Sequence, residues 1–177
     1  MSDTTKLTIR QAKPGDEQKL SLVGAAAFLE TYAHMIPGED LVSHCATEHS
    51  PQTYATWLRD PSATIWLAET EAKAPIGYLL LTKSTLPVDA PQPEDLEVQR
   101  IYVLSRFHRT GMGYALMNLA VSKAISKGAR RLVLGVHNEN ARALAFYKRQ
   151  GYEIIDDRKF QVGNSVFCDS VLARPLR

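Results

Sequence analysis

Apolar and polar positions along this chain change period several times, and each change marks an element. Leu7–Ala12 alternates and predicts a first strand, punctuated by Pro14-Gly15-Asp16 with Asp16 as N-cap. Leu20, Val23, Gly24, Ala27, Phe28 and Tyr32 then recur at three- and four-residue spacing, which predicts an amphipathic helix. Pro37-Gly38 breaks it. Glu39–His49 and Pro51–Leu58 are shorter helical stretches, the second opened by Ser50 with Pro51 at the first helical position. Thr64–Glu69 and Ile76–Lys83 return to a strand pattern across a polar turn, a hairpin. Leu86–Asp95 holds Pro87, Pro91 and Pro93 and reads as a surface loop.

The strand predicted over Leu96–Leu104 has an irregular phase. Leu96 and Val98 share one parity, and Ile101 and Val103 the other. A β-bulge near Gln99-Arg100 reconciles the halves, and bulges release backbone groups from the ladder beside active sites. After Ser105–Thr110 and Gly111-Met-Gly113, a helix runs to Lys127, its apolar face made by Met117, Ala120, Val121, Ala124 and Ile125 and its end marked by Gly128. Leu132–Val136 is a continuous apolar run, as in a strand covered on both faces. Asn138 or Asn140 caps a further helix that Gly151 ends. Tyr152–Gln161 and Ser165–Leu172 pair across Val162-Gly163-Asn164. The order predicts an α/β (α+β) fold, one domain over residues 1–177, with a mixed twisted sheet of about six to seven strands flanked by about four helices.

Composition adds limits. The 177 residues are 45% hydrophobic and 23% charged, which fits one globular domain and excludes a disordered or fibrous chain. No apolar run approaches the ~20 residues of a membrane span, and Met1–Lys6 has no apolar signal region. Two cysteines, Cys45 and Cys168, make no disulfide framework, so a reduced, cytoplasmic setting is expected. The net charge of +2 conceals a polarised chain: residues 1–96 carry net −6 and residues 97–149 net +8. A basic middle segment suits an anionic partner, either nucleic acid or a phosphorylated cofactor, or is simply a solvated helix surface.

Strand, short loop, Gly-x-Gly and helix form a geometry for phosphate, because the first helical amides are unpaired and the helix dipole favours an anion. His108, Arg109 and Arg106 add cationic side chains and Thr110 a hydroxyl. The turn is neither a dinucleotide fingerprint, since Leu116 stands at the third glycine position, nor a P-loop, since no Gly-Lys-Ser/Thr follows. His44, Cys45 and His49 lack a further ligand pair, so no metal is expected. Arg130-Arg131 reads as a solvated turn, and no nucleic-acid partner is expected.

His108-Arg-Thr-Gly-Met-Gly113 after Glu97–Val103 resembles the signature of the GNAT superfamily of acyl-CoA-dependent N-acetyltransferases, Arg/Gln-x-x-Gly-x-Gly/Ala after a bulged strand. Asn140–Tyr152 is similar to that family's Asn-x-x-Ala-x-x-Phe-Tyr…Gly-Phe segment, and Leu7–Asp16 to its opening. The wording of Glu97–Val103 and Phe28–Tyr32 is similar to the bacterial polyamine acetyltransferase branch. One departure is His108, where the family usually has Arg or Gln; an imidazole still donates one hydrogen bond when neutral. The resemblance implies acetyl-CoA as co-substrate and a primary amine acceptor, either a small molecule such as a polyamine or amino-acid derivative, or a peptide amine. It implies direct attack in a ternary complex. Ile101, Tyr102 and Val103 would pair with the pantetheine arm, and His108, Arg109, Thr110, Gly111, Met112 and Gly113 would hold the pyrophosphate. Asn140 and Ala143 would touch the pantetheine, Tyr147 would protonate the leaving thiolate, and Glu97 would act as general base. Family members often form homodimers, which the resemblance leaves open here.

The chemistry favours those residue types. An amine of Lys-like pKa is almost wholly protonated at pH 7, and freeing its lone pair costs about 4.6 kcal/mol, so a nearby carboxylate helps. Acceptor contacts are expected from Phe28 and Tyr32, from the Leu86–Asp95 loop, and from Asp169 on the final hairpin. Two competing readings are a non-catalytic acyl-CoA sensor on the same fold and a nucleic-acid binder using the basic segment.

Overall fold

The computed structural model describes residues 6–88 and 93–176. Seven strands form one sheet in the order β1-β2-β3-β4-β5-β7-β6. The elements are β1 (Leu7–Gln11), α1 (Glu17–Tyr32), α2 (Gly38–Glu48), α3 (Pro51–Arg59), β2 (Thr64–Thr70), β3 (Pro75–Lys83), β4 (Leu96–Val103), α4 (Met112–Ser126), β5 (Arg131–His137), α5 (Ala141–Arg149), β6 (Glu153–Val162) and β7 (Ser165–Pro175). All neighbours are antiparallel except β4 and β5, whose parallel pairing needs the α4 crossover.

Alternation in the central strands sends side chains to two cores. Ile65, Leu67, Tyr78 and Leu80 face α1 and α3, where Leu20, Val23 and Tyr54 meet them. Trp66, Ala68, Leu79 and Leu81 face the opposite way, onto Leu116, Met117, Ala120 and Ala124 of α4. Each such large aliphatic side chain contributes roughly 1.5–3 kcal/mol by leaving water. The apolar face of α4 is shifted from the expected one: Leu116 is buried and Ile125 is 48% exposed. Ile125 lies in the last turn, beyond the edge of the sheet core.

Two caps behave differently. Ser50 accepts the amide of Thr53 at 3.2 Å and starts α3 as its sequence predicts. Asp16 stands at the N-cap of α1 but makes no side-chain cap bond. Its carboxylate instead takes both nitrogens of the Arg10 fork, each at 2.8 Å, and the Lys13 amide at 2.9 Å. Arg10 also bonds the fully buried Glu69 at 2.9 Å, and Lys19 reaches Glu69 at 2.6 Å. Burial alone would raise the Glu69 pKa, but these two cations hold it below the usual range.

A second buried polar chain links the end of α2, α3 and β3. His49 Nδ1 lies 2.8 Å from Tyr54 Oη, which lies 2.6 Å from Tyr78 Oη. Room for it comes from Gly24: a Cβ there would fall on Tyr54 Oη and 2.7 Å from His49 Nδ1. Both atoms are fixed by hydrogen bonds, so neither can step aside cheaply. Gly24→Ala is expected to cost ~1–3 kcal/mol by overpacking, with a fall in Tm of about 2–4 °C per kcal/mol. Thermal unfolding checks it, and an unchanged Tm would show that the network is slack.

Candidate active site

The site begins where two strands part. β4 pairs with β5 only at Leu96↔Leu132 and Glu97↔Val133. Beyond those pairs the strands diverge, while β4 stays on β3 as far as Val103↔Gly77. The edge of β4 that faces β5 therefore carries no ladder bonds past Glu97. The expected bulge is present: Leu80 pairs with Arg100 and Leu81 with Val98, which leaves Gln99 as the extra residue.

The opening is a cleft of about 730 Å³. β4 supplies one wall through Val98–Val103, α5 another through Arg142, Ala143, Phe146, Tyr147 and Arg149, and the start of α4 a third. Gly111 adopts the left-handed conformation, φ +84°, which glycine takes without strain. Arg109 adopts the same region at φ +66°, an uncommon conformation for a residue with a Cβ. The first α-helical bond of α4 runs from Ala115 N to Gly111 O at 2.9 Å. The amides of Met112, Gly113 and Tyr114 precede it and have no intrahelical acceptor. They line an opening flanked by Arg109, Arg142 and Arg149. Free amides, a helix N-terminus and three guanidinium groups suit a phosphorylated ligand. The unpaired edge of β4 suits an extended ligand with amide groups. The residues present thus fit the pyrophosphate and pantetheine parts of acetyl-CoA.

All of the expected cofactor residues line this cleft except Thr110. Its hydroxyl turns back to the Phe107 carbonyl at 2.7 Å. Two others use their side chains within the protein. His108 Nε2 lies 2.6 Å from the Val103 carbonyl, tying the glycine turn to the end of β4. Asn140 Oδ1 accepts the Ala143 amide at 3.1 Å and caps α5, which settles the choice between Asn138 and Asn140. Tyr147 is only 7% exposed and packs edge-on against Phe146 and Tyr152. Burial raises its pKa, so the phenol keeps its proton at neutral pH.

A second cleft, about 420 Å³, shares Tyr32, Gln99, Arg100, Tyr102 and Gly135 with the first. Phe28, Tyr32 and Asp169, the expected acceptor contacts, all line it, and so does Glu97. Residues 89–92 of the expected Leu86–Asp95 contact loop lie outside the described residues. Glu97 is 3% exposed and accepts the Thr85 amide at 2.9 Å. Burial raises its pKa above the usual carboxylate range, opposed by the Thr85 amide and the field of Arg158, which makes it a stronger base than a free carboxylate. Asp169 is also raised by burial, against the nearby Arg158, whose Nη2 lies 3.2 Å away. The Arg158 guanidinium lies against Gly135, where a Cβ would sit 2.6 Å from Nη2. Tyr32 stands at the junction with its pKa pushed up to about 12 by burial.

Sequence reasoning missed His137, Arg158, Arg100 and Gln99 as site residues. Arg158 could have been found from hairpin register, since it stands directly across from Asp169. Arg100 follows the bulge and turns toward α2, where Nη1 donates to the Glu48 carbonyl at 2.7 Å. His49 and His44 serve as aromatic surfaces around Phe28, and among the described residues no group of three His, Cys, Asp or Glu could hold a metal. No helix among them is long and apolar enough to cross a membrane.

Comparison with known proteins agrees with this geometry. Residues 26–152 match the family model described as acetyltransferase (GNAT) family. An uncharacterized N-acetyltransferase of Mycobacterium tuberculosis is 30% identical over 161 residues, covering 91% of this chain and 98% of its own. The PaiA N-acetyltransferase of Thermoplasma acidophilum, solved with coenzyme A, superposes with TM-score 0.78 at 19% identity, over 96% of this chain and 99% of that one. The ribosomal-protein-S18-alanine N-acetyltransferase of Escherichia coli superposes with TM-score 0.66 at 19% identity, over 97% and 94%.

The burial of His49 has a measurable consequence. Burial lowers its pKa from 6.5 to about 3, with Arg100 and His44 adding to the effect. An unfolded chain therefore binds a proton there that the folded one refuses, and stability is present above pH 6.5 and lost as pH falls toward 3. Unfolding free energy measured in urea is expected to drop by up to about 1.4 kcal/mol per pH unit from this group between pH 6 and 4. His49→Gln should flatten that slope by nearly one proton, and an unaltered slope would mean that other groups control acid unfolding.

Proposed function

Because the chain belongs to the GNAT family and is an acetyltransferase that uses acetyl-CoA, we propose that it moves the acetyl group onto a primary amine bound in the second cleft, by direct attack in a ternary complex. The observation that carries this reading is the meeting of the two clefts at the Gln99 bulge, with Tyr147 on one side and Glu97 on the other. The co-substrate supplies an activated acetyl thioester. Its phosphates would lie on the amides of Met112–Tyr114 beside Arg109, and its pantetheine along the open edge of Ile101–Val103, with Ala143 and the backbone around Asn140 opposite. His108 then acts by holding the turn against β4, and the loop amides bind.

In this reaction Glu97 takes a proton from the bound ammonium group. Its raised pKa suits it to the task, because a base closer in pKa to the amine loses less driving force. The amine nitrogen forms the new bond to the carbonyl carbon while the carbon–sulfur bond breaks. Tyr147 gives its proton to the departing sulfur, and the second proton that the nitrogen loses as the amide forms passes to solvent, from which the phenolate is reprotonated. A thiolate of Cys-like pKa, about 8.5, is basic enough to accept from a phenol only with the help of close contact, which the position of Tyr147 on the cleft wall provides.

The acceptor is a small amine or a peptide amine. Glu97, Asp169 and Glu48 favour a cationic group, as a polyamine or an amino-acid derivative would bring, and Phe28 and Phe160 offer aromatic surface to its carbon skeleton. The setting we infer is the cytoplasm, and the active form a monomer or a homodimer.

Thiol release from acetyl-CoA, measured against polyamines, amino acids and peptides with free N-termini, tests the reading. At least one amine class should stimulate release well above the background hydrolysis. Tyr147→Phe is expected to lower kcat by about 10-fold or more while the affinity for acetyl-CoA, read by thermal shift, stays the same. Unchanged turnover would remove Tyr147 as the acid, and absence of release with every amine would sink the proposed activity.

A further inference from the structure

Two polar side chains lining the second cleft have buried polar atoms without a hydrogen-bond partner among the described residues, although the His137 ring packs edge-on against Phe167. His137, on β5 past the point of divergence, is 8% exposed, and neither ring nitrogen has a hydrogen-bond partner among the described residues. The closest carboxylate, Glu139, is 3.8 Å away, beyond hydrogen-bond reach, and its side chain is 83% exposed. Asp169, which pairs with His137 in register, is engaged by Arg158 through Nε at 3.3 Å and Nη2 at 3.2 Å. Gln99, the bulged residue, likewise has a buried Oε1 with no partner. Burying such an acceptor unpaired costs ~1–3 kcal/mol, and folded proteins rarely leave one so. Both residues line the second cleft, with Glu97 beside them on β4.

The acceptors of this cleft thus include three that converge from β4 and β5: the Glu97 carboxylate, Gln99 Oε1 and a ring nitrogen of His137. A primary ammonium group has three N–H donors. We propose that Gln99 and His137 hold the acceptor nitrogen, which makes the site selective for unhindered primary amines; this rests on the acetyl-transfer reading above. One proton passes to Glu97. The remaining two N–H bonds stay on Gln99 and His137 and, with the amine carbon, fix the freed lone pair along the direction the proton vacated, the side from which it meets the carbonyl carbon. The carbon–nitrogen bond forms, the carbon–sulfur bond breaks with its electron pair on sulfur, sulfur takes the Tyr147 proton, and the new amide nitrogen gives up one of its two remaining protons to solvent, from which the Tyr147 phenolate is reprotonated. A secondary amine has one N–H fewer and leaves a buried acceptor unpaired at the moment of attack. A site built in this way rejects the analogue by much more than a shape mismatch does.

The test compares butylamine, putrescine and an alanyl dipeptide with N-methylbutylamine, N,N′-dimethylputrescine and the N-methylalanyl dipeptide, by thiol release. For every skeleton that is turned over, kcat/KM is expected to favour the primary amine by about 100-fold or more. His137→Leu and Gln99→Leu should each lower kcat/KM for the primary amine and narrow that ratio by about 10-fold, because the missing acceptor no longer penalises the methyl group. Stabilisation by acetyl-CoA should persist in both, which marks them as folded. If one variant fails to fold, the wild-type ratio and the other variant carry the decision. His137→Gln, which keeps an acceptor, should restore part of the preference. Primary and N-methyl amines within about threefold on the wild type, or a ratio that neither variant alters, would overturn the proposal and leave acetyl transfer standing. Absence of release with every amine would overturn both.

Discussion

The separation of β4 from β5 is the constraint on which the functional part of the molecule depends. A parallel pair normally continues for the length of both strands, because each unpaired backbone group left in the interior is costly. Here the ladder stops after two pairs. The bulge at Gln99 shifts the register of β4 against β3 and turns the strand. β5 meanwhile remains fully paired with β7 from Arg131 to His137. The open edge is tolerable because it lines a cleft, where water or a ligand reaches it. Much of what the first cleft offers is main chain, the edge of β4 and the orphan amides of α4, flanked by the guanidinium groups of Arg109, Arg142 and Arg149.

The second cleft is made of side chains, and it needs a stiff support. The buried run His49–Tyr54–Tyr78 supplies it, joined by Arg100, whose guanidinium lies 5.7 Å from the centre of the Tyr54 ring. Burial pushes the phenols of Tyr78 and Tyr102 well above their ordinary pKa, so both stay neutral beside that cation. The network pins α2 and α3 to the sheet at the place where the residues lining the second cleft converge. Gly24 makes room for it in α1, and Glu69 with Arg10 and Lys19 holds the outer end of the same layer.

Much of this was readable from residue order, for identifiable reasons. Strands and helices follow from periodicity, and the bulge from a one-residue phase slip between Val98 and Ile101. The glycine turn could be placed because Gly111 needs a positive φ. What stayed hidden is which of several available partners a polar side chain takes. Asp16 has the composition of a cap, yet Arg10 captures its carboxylate through a contact that the local pattern does not encode. Thr110 is a donor in sequence, but its hydroxyl satisfies Phe107. Likewise His137 looks like the end of an apolar strand. Only the divergence of β4, tens of residues earlier in the chain, turns it into a lining residue of the acceptor cleft.

The glycine at position 135 shows how division of labour between the clefts shapes change over time. Its missing side chain gives the Arg158 guanidinium a place against β5, so the acceptor cleft is set by one cation resting on bare backbone. Replacing Arg158 by a smaller or uncharged residue would vacate that place without breaking a strand or touching the main-chain groups of the first cleft. New acceptors can therefore be explored one substitution at a time while the donor half is inherited intact. A fold that lines one cleft largely with main chain and the other with side chains lets the second change while the first stands.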